Sequence, residues 1–470
     1  MLKKICFIIF LITVGVCYIS AQAPNNNQAA AKTAVFAFVD VNVVPMDSER
    51  TVSNQTVVIR DGRIIAMGAA KRIGVPQGAI KIDGRGRYLM PGLADMHVHL
   101  EYFDRDAQLL LFLAGGVTTV RNMDGRANIL LWRERVVNGT MLAPTIFTAG
   151  AILEGKPPFR NDNRVVGTVA QAEAAVAEQK KAGYDFIKVY HTLDRAIYEA
   201  IIGAAKKHGL TVVGHVPRSV GLRDTLAANQ KSIEHLDGFI DEIEADDSPH
   251  KNQRSWLKRY FAVKVDNGKI RSVAEATRLA QVWNVPTLVE KRLSALSADE
   301  LRIRLQQPEL KYLPPETAKI WSASNARITG RMSADDFARL AEGEKTRNRI
   351  VKLLHDGGAR LLVGTDTPNA FVVPGFSVIE ELQNFVEAGL TPYQAIKAAT
   401  KDAAEFLGAS NEFGTISVGM RADLILVEGN PLESVSALKR HAGVMVRGRW
   451  LTSSDLQKQL DALAVSYAKE

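Results

Sequence analysis

The sequence predicts an α/β fold, a (β/α)8 TIM barrel joined to a small β-sandwich domain formed from both termini. Two observations support this prediction. From Gly92 onward, short apolar strand segments alternate with longer segments whose apolar residues recur three and four positions apart. This alternation is typical of parallel strands joined by right-handed helical crossovers. Before Gly92 and after Gly414, short β-type segments separated by turn residues replace it.

The β-rich parts lie on either side of the central pattern. Before it come four short strand segments, namely Val35 to Val44, Thr56 to Arg60, Ile64 to Met67 and Ala79 to Ile82. The same pattern returns from Gly414 to Trp450, with a turn at Gly429-Asn430-Pro431. We therefore expect β-sandwich parts at 34–90 and 414–455, a barrel over 91–413, and a C-terminal tail at 456–470.

Eight segments of the central part are predicted as barrel strands, the number that closes such a barrel. They are Leu93 to Val98, Val117 to Arg121, Thr145 to Ala149, Phe186 to Tyr190, Val212 to His215, Ser232 to His235, Val285 to Val289 and Leu361 to Thr365. Apolar periodicity predicts helices at Thr168 to Ala182, Leu193 to His208, Ala274 to Trp283, Ala334 to His355, Val378 to Ala388 and Pro392 to Leu407.

The first residues have the features of a secretory signal peptide. Two lysines precede an uncharged apolar run from Ile5 to Ile19, and Ala21-Gln22-Ala23 has the small residues of a cleavage site. The run is too short to span a bilayer comfortably. We expect a signal peptide at 1–23, a linker at 24–33, and export to the periplasm or outside the cell, without a membrane anchor after signal removal. An uncleaved interfacial helix is the alternative.

Composition excludes several classes of chemistry. Both cysteines, Cys6 and Cys17, lie in the segment predicted to be removed, so the mature chain would have no disulfide, thiolate metal site or cysteine nucleophile. The formal net charge is +8, but the basic residues are interleaved with acidic ones, so we expect no nucleic-acid partner. The chain also has no Gly-rich phosphate loop and no Gly-x-Ser-x-Gly motif.

Polar residues recur at the carboxyl ends of the predicted strands, where barrels of this kind carry their chemistry. His97 and His99 lie two residues apart on a strand, so both rings point the same way. His215, His235 and Asp366 end three other strands. A His-x-His pair alone is as well explained by half-buried polar side chains. The whole set at one rim favours a metal site with histidine and oxygen ligands.

Lys188 interrupts the apolar strand Phe186 to Tyr190. An unpaired lysine is costly to bury. Two arrangements relieve that cost: the amine pairs with an acid, or it captures carbon dioxide and becomes a carbamate, an anionic ligand that can bridge two metal ions.

Six segments resemble motifs of the amidohydrolase superfamily, in its imidazolonepropionase-like and prolidase-like (Xaa-Pro dipeptidase-like) branch, and the resemblance covers essentially the whole mature chain. The segments are Leu89-Met90-Pro91-Gly92-Leu93-Ala94-Asp95-Met96-His97-Val98-His99, Gly116-Val117-Thr118-Thr119-Val120-Arg121, Val213-Gly214-His215, Ile233-Glu234-His235, Gly364-Thr365-Asp366 and Gly419-Met420-Arg421-Ala422-Asp423-Leu424. The resemblance implies two divalent metal ions, expected to be zinc. One is held by His97, His99 and Asp366, the other by His215 and His235, and carbamylated Lys188 bridges them.

This ligand set predicts a binuclear hydrolase acting on carbon–nitrogen bonds. Two ions sharing a water would supply hydroxide near neutral pH, and Asp366 would carry its proton to the leaving nitrogen. A dipeptide or N-acyl amino acid is the expected substrate. The alternatives are a mononuclear deaminase or cyclic-amide hydrolase of the same fold, and a non-catalytic assembly protein. Deaminase relatives usually carry a glutamate where this chain has Arg218, which argues against deamination.

Three residues near the rim are candidates for binding a substrate carboxylate: Tyr190, His191 and Arg218. The stretch from Glu290 to Met332 is interpreted as a lid over the rim or as a surface insertion. The expected partner is thus a small-molecule amide or peptide, and formation of a homo-oligomer is left open.

Overall fold

The computed structural model describes residues 34–100, 104–248, 251 and 264–469. The predicted signal peptide and the 24–33 linker lie outside the described residues. Within them the fold is mixed α/β. The strands are β1 Phe36–Val43, β2 Val52–Arg60, β3 Arg63–Ala69, β4 Ile80–Asp83, β5 Tyr88–Pro91, β6 Leu93–Val98, β7 Val117–Asn122, β8 Thr145–Thr148, β9 Leu153–Glu154, β10 Arg164–Val165, β11 Phe186–Val189, β12 Thr211–Gly214, β13 Ser232–Glu234, β14 Trp283–Val285, β15 Arg360–Leu361, β16 Leu424–Val427, β17 His441–Val446 and β18 Arg449–Thr452.

Helices follow most of the central strands. They are α1 Arg105–Ala114, α2 Ala127–Val137, α3 Val169–Ala182, α4 Arg195–His208, α5 Leu222–Ala227, α6 Phe239–Ile243, α7 Asn267–Leu279, α8 Leu288–Leu293, α9 Ala298–Arg304, α10 Glu316–Thr329, α11 Ala334–Asp356, α12 Ser377–Glu387, α13 Pro392–Ala398, α14 Lys401–Phe406 and α15 Ser453–Tyr467. Short 3-10 helices cover Pro308–Tyr312 and Val435–Lys439. No helix in the described ranges is long and apolar enough to cross a membrane.

The central strands pair in parallel. One sheet has the order β6-β7-β8, and a second has the order β10-β9-β11-β12-β13-β14-β15. A parallel bridge between Ala149 and Phe186 connects β8 to β11, and another between Val98 and Thr367 connects β6 to the segment after β15. Neighbouring parallel strands end at the same edge, so this pairing brings their carboxyl ends together.

Helix α4 illustrates how local sequence defines these elements. Its Ile197, Tyr198 and Ile201 recur at helical spacing and are buried in the cluster that includes Ile187 and Val189 of β11. The helix ends at Gly209, whose φ of 62° is left-handed and therefore suits glycine.

The predicted strand Val285 to Val289 is wrong beyond its first residue, because β14 ends at Val285 and α8 begins at Leu288. The carboxyl group of Glu381 accepts hydrogen bonds from the backbone N–H groups of Leu288 at 2.9 Å and Val289 at 2.6 Å. These two N–H groups in the first turn of α8, which have no partner within the helix, are thereby paired. The helix predicted from Ala274 to Trp283 is also shifted. It covers Asn267–Leu279, and Trp283 opens β14 instead.

Two further predictions differ from the structure near the end of the central part. The helix expected from Pro392 to Leu407 divides into α13 and α14, because the Ala399 carbonyl between them accepts the N–H of Ala94 in β6 at 2.7 Å. Of the strand expected from Leu361 to Thr365, only Leu361 lies in a regular strand, since β15 covers Arg360–Leu361. The remaining central strands listed above agree with their predicted bounds within one residue.

The strands from the two ends of the chain form one eight-stranded sheet. Its order is β18-β17-β16-β5-β1-β2-β3, with β4 paired to β1. Strand β5 joins the two ends, since it pairs in parallel with β1 and antiparallel with β16. A common β-domain therefore unites both ends, and its description as a β-sandwich stays a prediction.

The predicted C-terminal tail at 456–470 belongs to helix α15 as far as Tyr467. Helix α15 buries Leu456 and Leu460, which lie one helical turn apart, and contacts α1 and β17. The Thr452 side chain caps its first turn.

Candidate metal centre

Three of the predicted ligands converge at the end of β6. The Nε2 atom of His97 lies 3.4 Å from Oδ1 of Asp366, and Nε2 of His99 lies 3.1 Å from the same oxygen. The two imidazole centroids are 5.5 Å apart. The strand alternation that predicted a shared face for both histidines therefore brings them to one carboxylate.

Of the other two predicted histidine ligands, His235 lies next to His97, and His215 lies next to His235. The His235 ring centroid is 4.7 Å from that of His97 and 4.8 Å from that of His215. Its Nδ1 lies 3.7 Å from Oδ2 of Asp366. Both His235 and Asp366 have a φ of 61°. This left-handed backbone conformation is unusual for residues other than glycine and is found more often at functional sites.

Lys188 lies beneath the histidines on β11. It is 1% exposed, and its Nζ has no hydrogen-bond partner among the described residues. Burial lowers the pKa of this amine to about 8, although the charges of Glu234 and Asp366 oppose the shift. Gly214 on the neighbouring strand makes room for it, because a Cβ there would lie 2.4 Å from the Val189 carbonyl oxygen and 3.0 Å from Lys188 Cδ.

Burial keeps the central imidazoles neutral. It lowers the pKa of His97 to about 4, with a further contribution from the charge of Lys188. Burial also brings the pKa of His215 and that of His235 well below their ordinary value. A neutral imidazole has a free lone pair, which is the form that binds metal.

A partner on the Nδ1 side orients each of three histidines. His97 Nδ1 donates to Glu234 Oε2 at 2.8 Å, and His215 Nδ1 donates to Asp237 Oδ2. His235 Nδ1 lies 2.7 Å from the hydroxyl of Thr287. Such partners fix the ring and leave Nε2 for a ligand.

Glu234 belongs to a fully buried network below the histidines. Its carboxylate accepts hydrogen bonds from Arg121 Nη2 at 3.0 Å and 3.1 Å and from Ser232 Oγ at 2.5 Å. Arg121 Nε also donates to the carbonyl of Met96, next to His97, at 2.6 Å. Burial alone would raise the pKa of Glu234, but the charge of Arg121 and the hydrogen bond from His97 hold this pKa well below its ordinary value.

This set of donors fits a divalent metal ion. Imidazole nitrogens and carboxylate oxygens converge without thiolates, as zinc and similar ions accept. Two groups bring three ligand atoms within 4.8 Å of one another: His97, His235 and Asp366, and, beside them, His191, His215 and Asp237. The second group associates His215 with His191 and Asp237, which the sequence had not linked to it.

A cavity of about 670 Å³ opens onto this centre. All six predicted ligands line it, namely His97, His99, Lys188, His215, His235 and Asp366. Tyr190 lines it too, and His191 packs with its ring centroid 4.1 Å from that of His215. Arg218 is exposed and is not among the lining residues. The segment proposed as a lid contributes one wall through α8 and α10.

Sequence reasoning missed five residues around the centre: Arg121, Glu234, Asp237, Thr287 and Lys291. A signal existed for two of them, because Arg121 and Glu234 are charged residues inside strand segments predicted to be buried. Lys291 could not be found in this way, because it lines the cavity as part of α8, and the sequence did not predict that a helix begins at Leu288.

The parallel α/β fold brings imidazoles together around a buried carboxylate at one edge of its strands. Residues 88–451 match the model of the Amidohydrolase family, and the chain belongs to that family. It is thus a hydrolase of a metal-dependent family that acts on carbon–nitrogen bonds.

Individual relatives agree with this assignment. The chain is 24% identical to an imidazolonepropionase of Symbiobacterium thermophilum over 397 residues, covering 81% of this chain and 85% of the relative. The solved structure of bottromycin amidohydrolase is 26% identical, with a TM-score of 0.74, and covers 93% of this chain and 91% of its own. A Xaa-Pro dipeptidase with bound methionine in its active site shares the fold at 21% identity and a TM-score of 0.64, covering 89% and 100%.

Proposed function

We propose that this protein is a binuclear metal-dependent amidohydrolase that cleaves the amide bond of a dipeptide or an N-acyl amino acid. One observation carries the proposal: the buried amine of Lys188, which has no hydrogen-bond partner among the described residues, lies among neutral histidines and a carboxylate. This combination is the expected surroundings of a lysine carbamate between two cations.

We propose that the parallel strands of the central part close into a (β/α)8 barrel. The bridges from Val98 to Thr367 and from Ala149 to Phe186 support a closed ring of strands β6 to β15. In such a barrel the carboxyl ends carry the chemistry. The β-rich ends of the chain form the accompanying domain, proposed as a β-sandwich.

Lys188 would act as a carbamate. Its Nζ, deprotonated, would add to the carbon of carbon dioxide and release a proton, which converts a cation into an anion. The lowered amine pKa supports this step, since more of the amine is neutral near pH 8. His97, His99 and Asp366 would hold one ion, His215 and His235 the other, and the carbamate would contact both.

When bound, two divalent ions supply an acidified water and a polarised scissile carbonyl. Asp366 would take the proton of the attacking water and deliver it to the leaving nitrogen. The protein keeps Asp366 ionised for this role. Burial alone would raise its pKa, but the imidazoles of His97 and His99 lower it below its ordinary value.

The cavity supports a small substrate. Its volume, about 670 Å³, suits a dipeptide-sized molecule. A cyclic-amide hydrolase is the second candidate, favoured by the similarity to imidazolonepropionases. The intact ligand set argues against a non-catalytic assembly protein. We also propose export through the N-terminal signal, which would expose the enzyme to peptides outside the cytoplasm.

Turnover by the zinc-loaded protein tests the function. The panel contains dipeptides, N-acetyl amino acids and a cyclic amide, with Asp366→Asn as the inactive control. We expect release of free amine from a dipeptide or N-acetyl amino acid and loss of that activity in the variant. Turnover of the cyclic amide alone would favour the second candidate, and no turnover of any member would contradict the proposal.

A further inference from the structure

We propose that Lys291 and Arg327 form a subsite for the carboxylate of the substrate. The inference rests on the proposed function, because it concerns the substrate of the same metal centre. It replaces Arg218 as the expected partner of that carboxylate.

Lys291 brings a buried positive charge to the edge of the centre. It follows β14 on helix α8 and is 7% exposed. Its Nζ lies 2.5 Å from Oε2 of Glu290, and Glu290 in turn accepts a hydrogen bond from Ser294 Oγ at 2.7 Å. These contacts hold the ammonium in one place, and the residue lines the cavity with the metal-ligand candidates.

Lys291 lines the same cavity as His97, His215 and His235, so its ammonium faces the space in front of the metal centre. In an N-acyl amino acid the carboxylate carbon is two bonds from the scissile nitrogen. A carboxylate subsite must therefore adjoin the metal centre, as Lys291 does.

Arg327 provides a second positive charge in the same wall. It lies on α10, is exposed and lines the cavity. Its guanidinium has no ion-pair or hydrogen-bond partner within the part of the chain that the structure describes. Arg160, which also lines the cavity, differs because it pairs with Asp162 at 3.3 Å.

The two side chains have complementary properties. A guanidinium binds a carboxylate with two parallel hydrogen bonds, whereas an ammonium acts as a compact charge. Arg218 has the right chemistry but the wrong position, since it is exposed outside the lining of the cavity. The sequence had offered Tyr190, His191 and Arg218 for this carboxylate, and of these Tyr190 lines the cavity.

A binding experiment tests the subsite without relying on turnover. The probes are N-methylsulfonyl-L-leucine, whose sulfonamide is not cleaved by amide hydrolysis, and its primary carboxamide. Calorimetry with the zinc-loaded enzyme measures both dissociation constants. We expect the acid to bind at least about tenfold more tightly than the carboxamide, the effect of one strong charged contact.

The variants assign that preference to residues. Arg327→Gln should weaken binding of the acid by about tenfold and leave the carboxamide unchanged. Lys291→Met alone would leave Glu290 unpaired, so the double variant Glu290→Gln/Lys291→Met removes both charges and should give a similar loss. Arg218→Gln is the matched control and should keep the wild-type preference.

Several outcomes would overturn the subsite. They are an acid preference that survives in both test variants, a preference lost in Arg218→Gln instead, and equal or absent binding of the two probes by the wild-type enzyme. Because the probes are not hydrolysed, the result is separate from the proposed function. An enzyme with the Arg327-dependent preference but without amide hydrolysis would retain the subsite and lose the proposed reaction.

Discussion

His97 Nδ1 lies 2.8 Å from Glu234 Oε2, so a ligand candidate on β6 is tied to the strand that ends before His235. The same carboxylate pairs with Arg121 of β7, and all three residues are buried. One carboxylate therefore orients an imidazole and neutralises the guanidinium below it.

Replacement of Glu234 should affect both metal binding and stability. Glu234→Gln keeps the shape but not the charge, and we expect the affinity for zinc to fall about 10- to 100-fold, measured by competition with a chromogenic chelator. Glu234→Ala leaves the Arg121 guanidinium buried and unpaired, which should cost about 3–5 kcal/mol in urea unfolding.

The control for these variants is Glu412→Gln, which removes a surface carboxylate paired with Arg63 at 2.9 Å. Both side chains of that pair are more than a third exposed, so the change should cost no more than about 1 kcal/mol and leave zinc affinity unchanged. Equal zinc affinity in Glu234→Gln and the wild type would show that the carboxylate does not orient His97.

The metal content provides a second test. Protein prepared without chelators and dialysed against zinc and bicarbonate should contain about two zinc ions per chain, because the proposed ligands form two sets, His97, His99 and Asp366 on one side of Lys188 and His215 and His235 on the other. Elemental analysis measures the ratio. A value that stays near one with excess zinc would favour the mononuclear alternative.

Replacement of Lys188 provides a third test. Lys188→Ala should lose most of one metal ion and most activity, and a short carboxylic acid such as acetate should restore part of both, since an anion is needed between two cations. Lys188→Arg should also be inactive, because a guanidinium stays protonated. Exposed Lys207→Ala is the control. Full activity in Lys188→Ala would exclude the carbamate.

The fourth prediction concerns Glu381, whose carboxyl group starts α8. Burial raises its pKa from 4.5 to about 8, although the N–H groups of Val289 and Leu288 oppose the shift. The folded state thus binds the proton more tightly than the unfolded state. The stabilisation that the protonated Glu381 gives to the folded state is therefore fully present below about pH 4.5 and is lost as the pH rises towards 8.

Glu381→Gln mimics the protonated acid and should remove this dependence. Relative to the variant, the wild-type free energy of unfolding should fall by up to about 1.4 kcal/mol per pH unit between pH 5 and 8. Urea titrations across that range measure the difference. Glu387→Gln, about half exposed on the same helix, should follow the wild-type curve. A wild-type-minus-Glu381→Gln difference that stays constant with pH would contradict the prediction.

Much of the central architecture follows from the sequence alone. The strand period places His97 and His99 on one face, and the repeated alternation of strands and helices brings His215, His235 and Asp366 to the same edge. These are consequences of local periodicity and of the common direction of parallel strands. The buried position of Lys188 follows in the same way, since it lies inside an apolar strand.

Only the tertiary structure decided how these residues are supported and what faces them. Glu234 meets His97 across 137 positions, and Glu381 ends the extended segment before Leu288 across 93. The Ala94–Ala399 hydrogen bond divides a segment that reads as one helix. Local sequence patterns predict which face of a helix or strand is apolar. They do not predict which distant polar group forms a hydrogen bond with a given backbone N–H or imidazole, because that depends on how the elements pack.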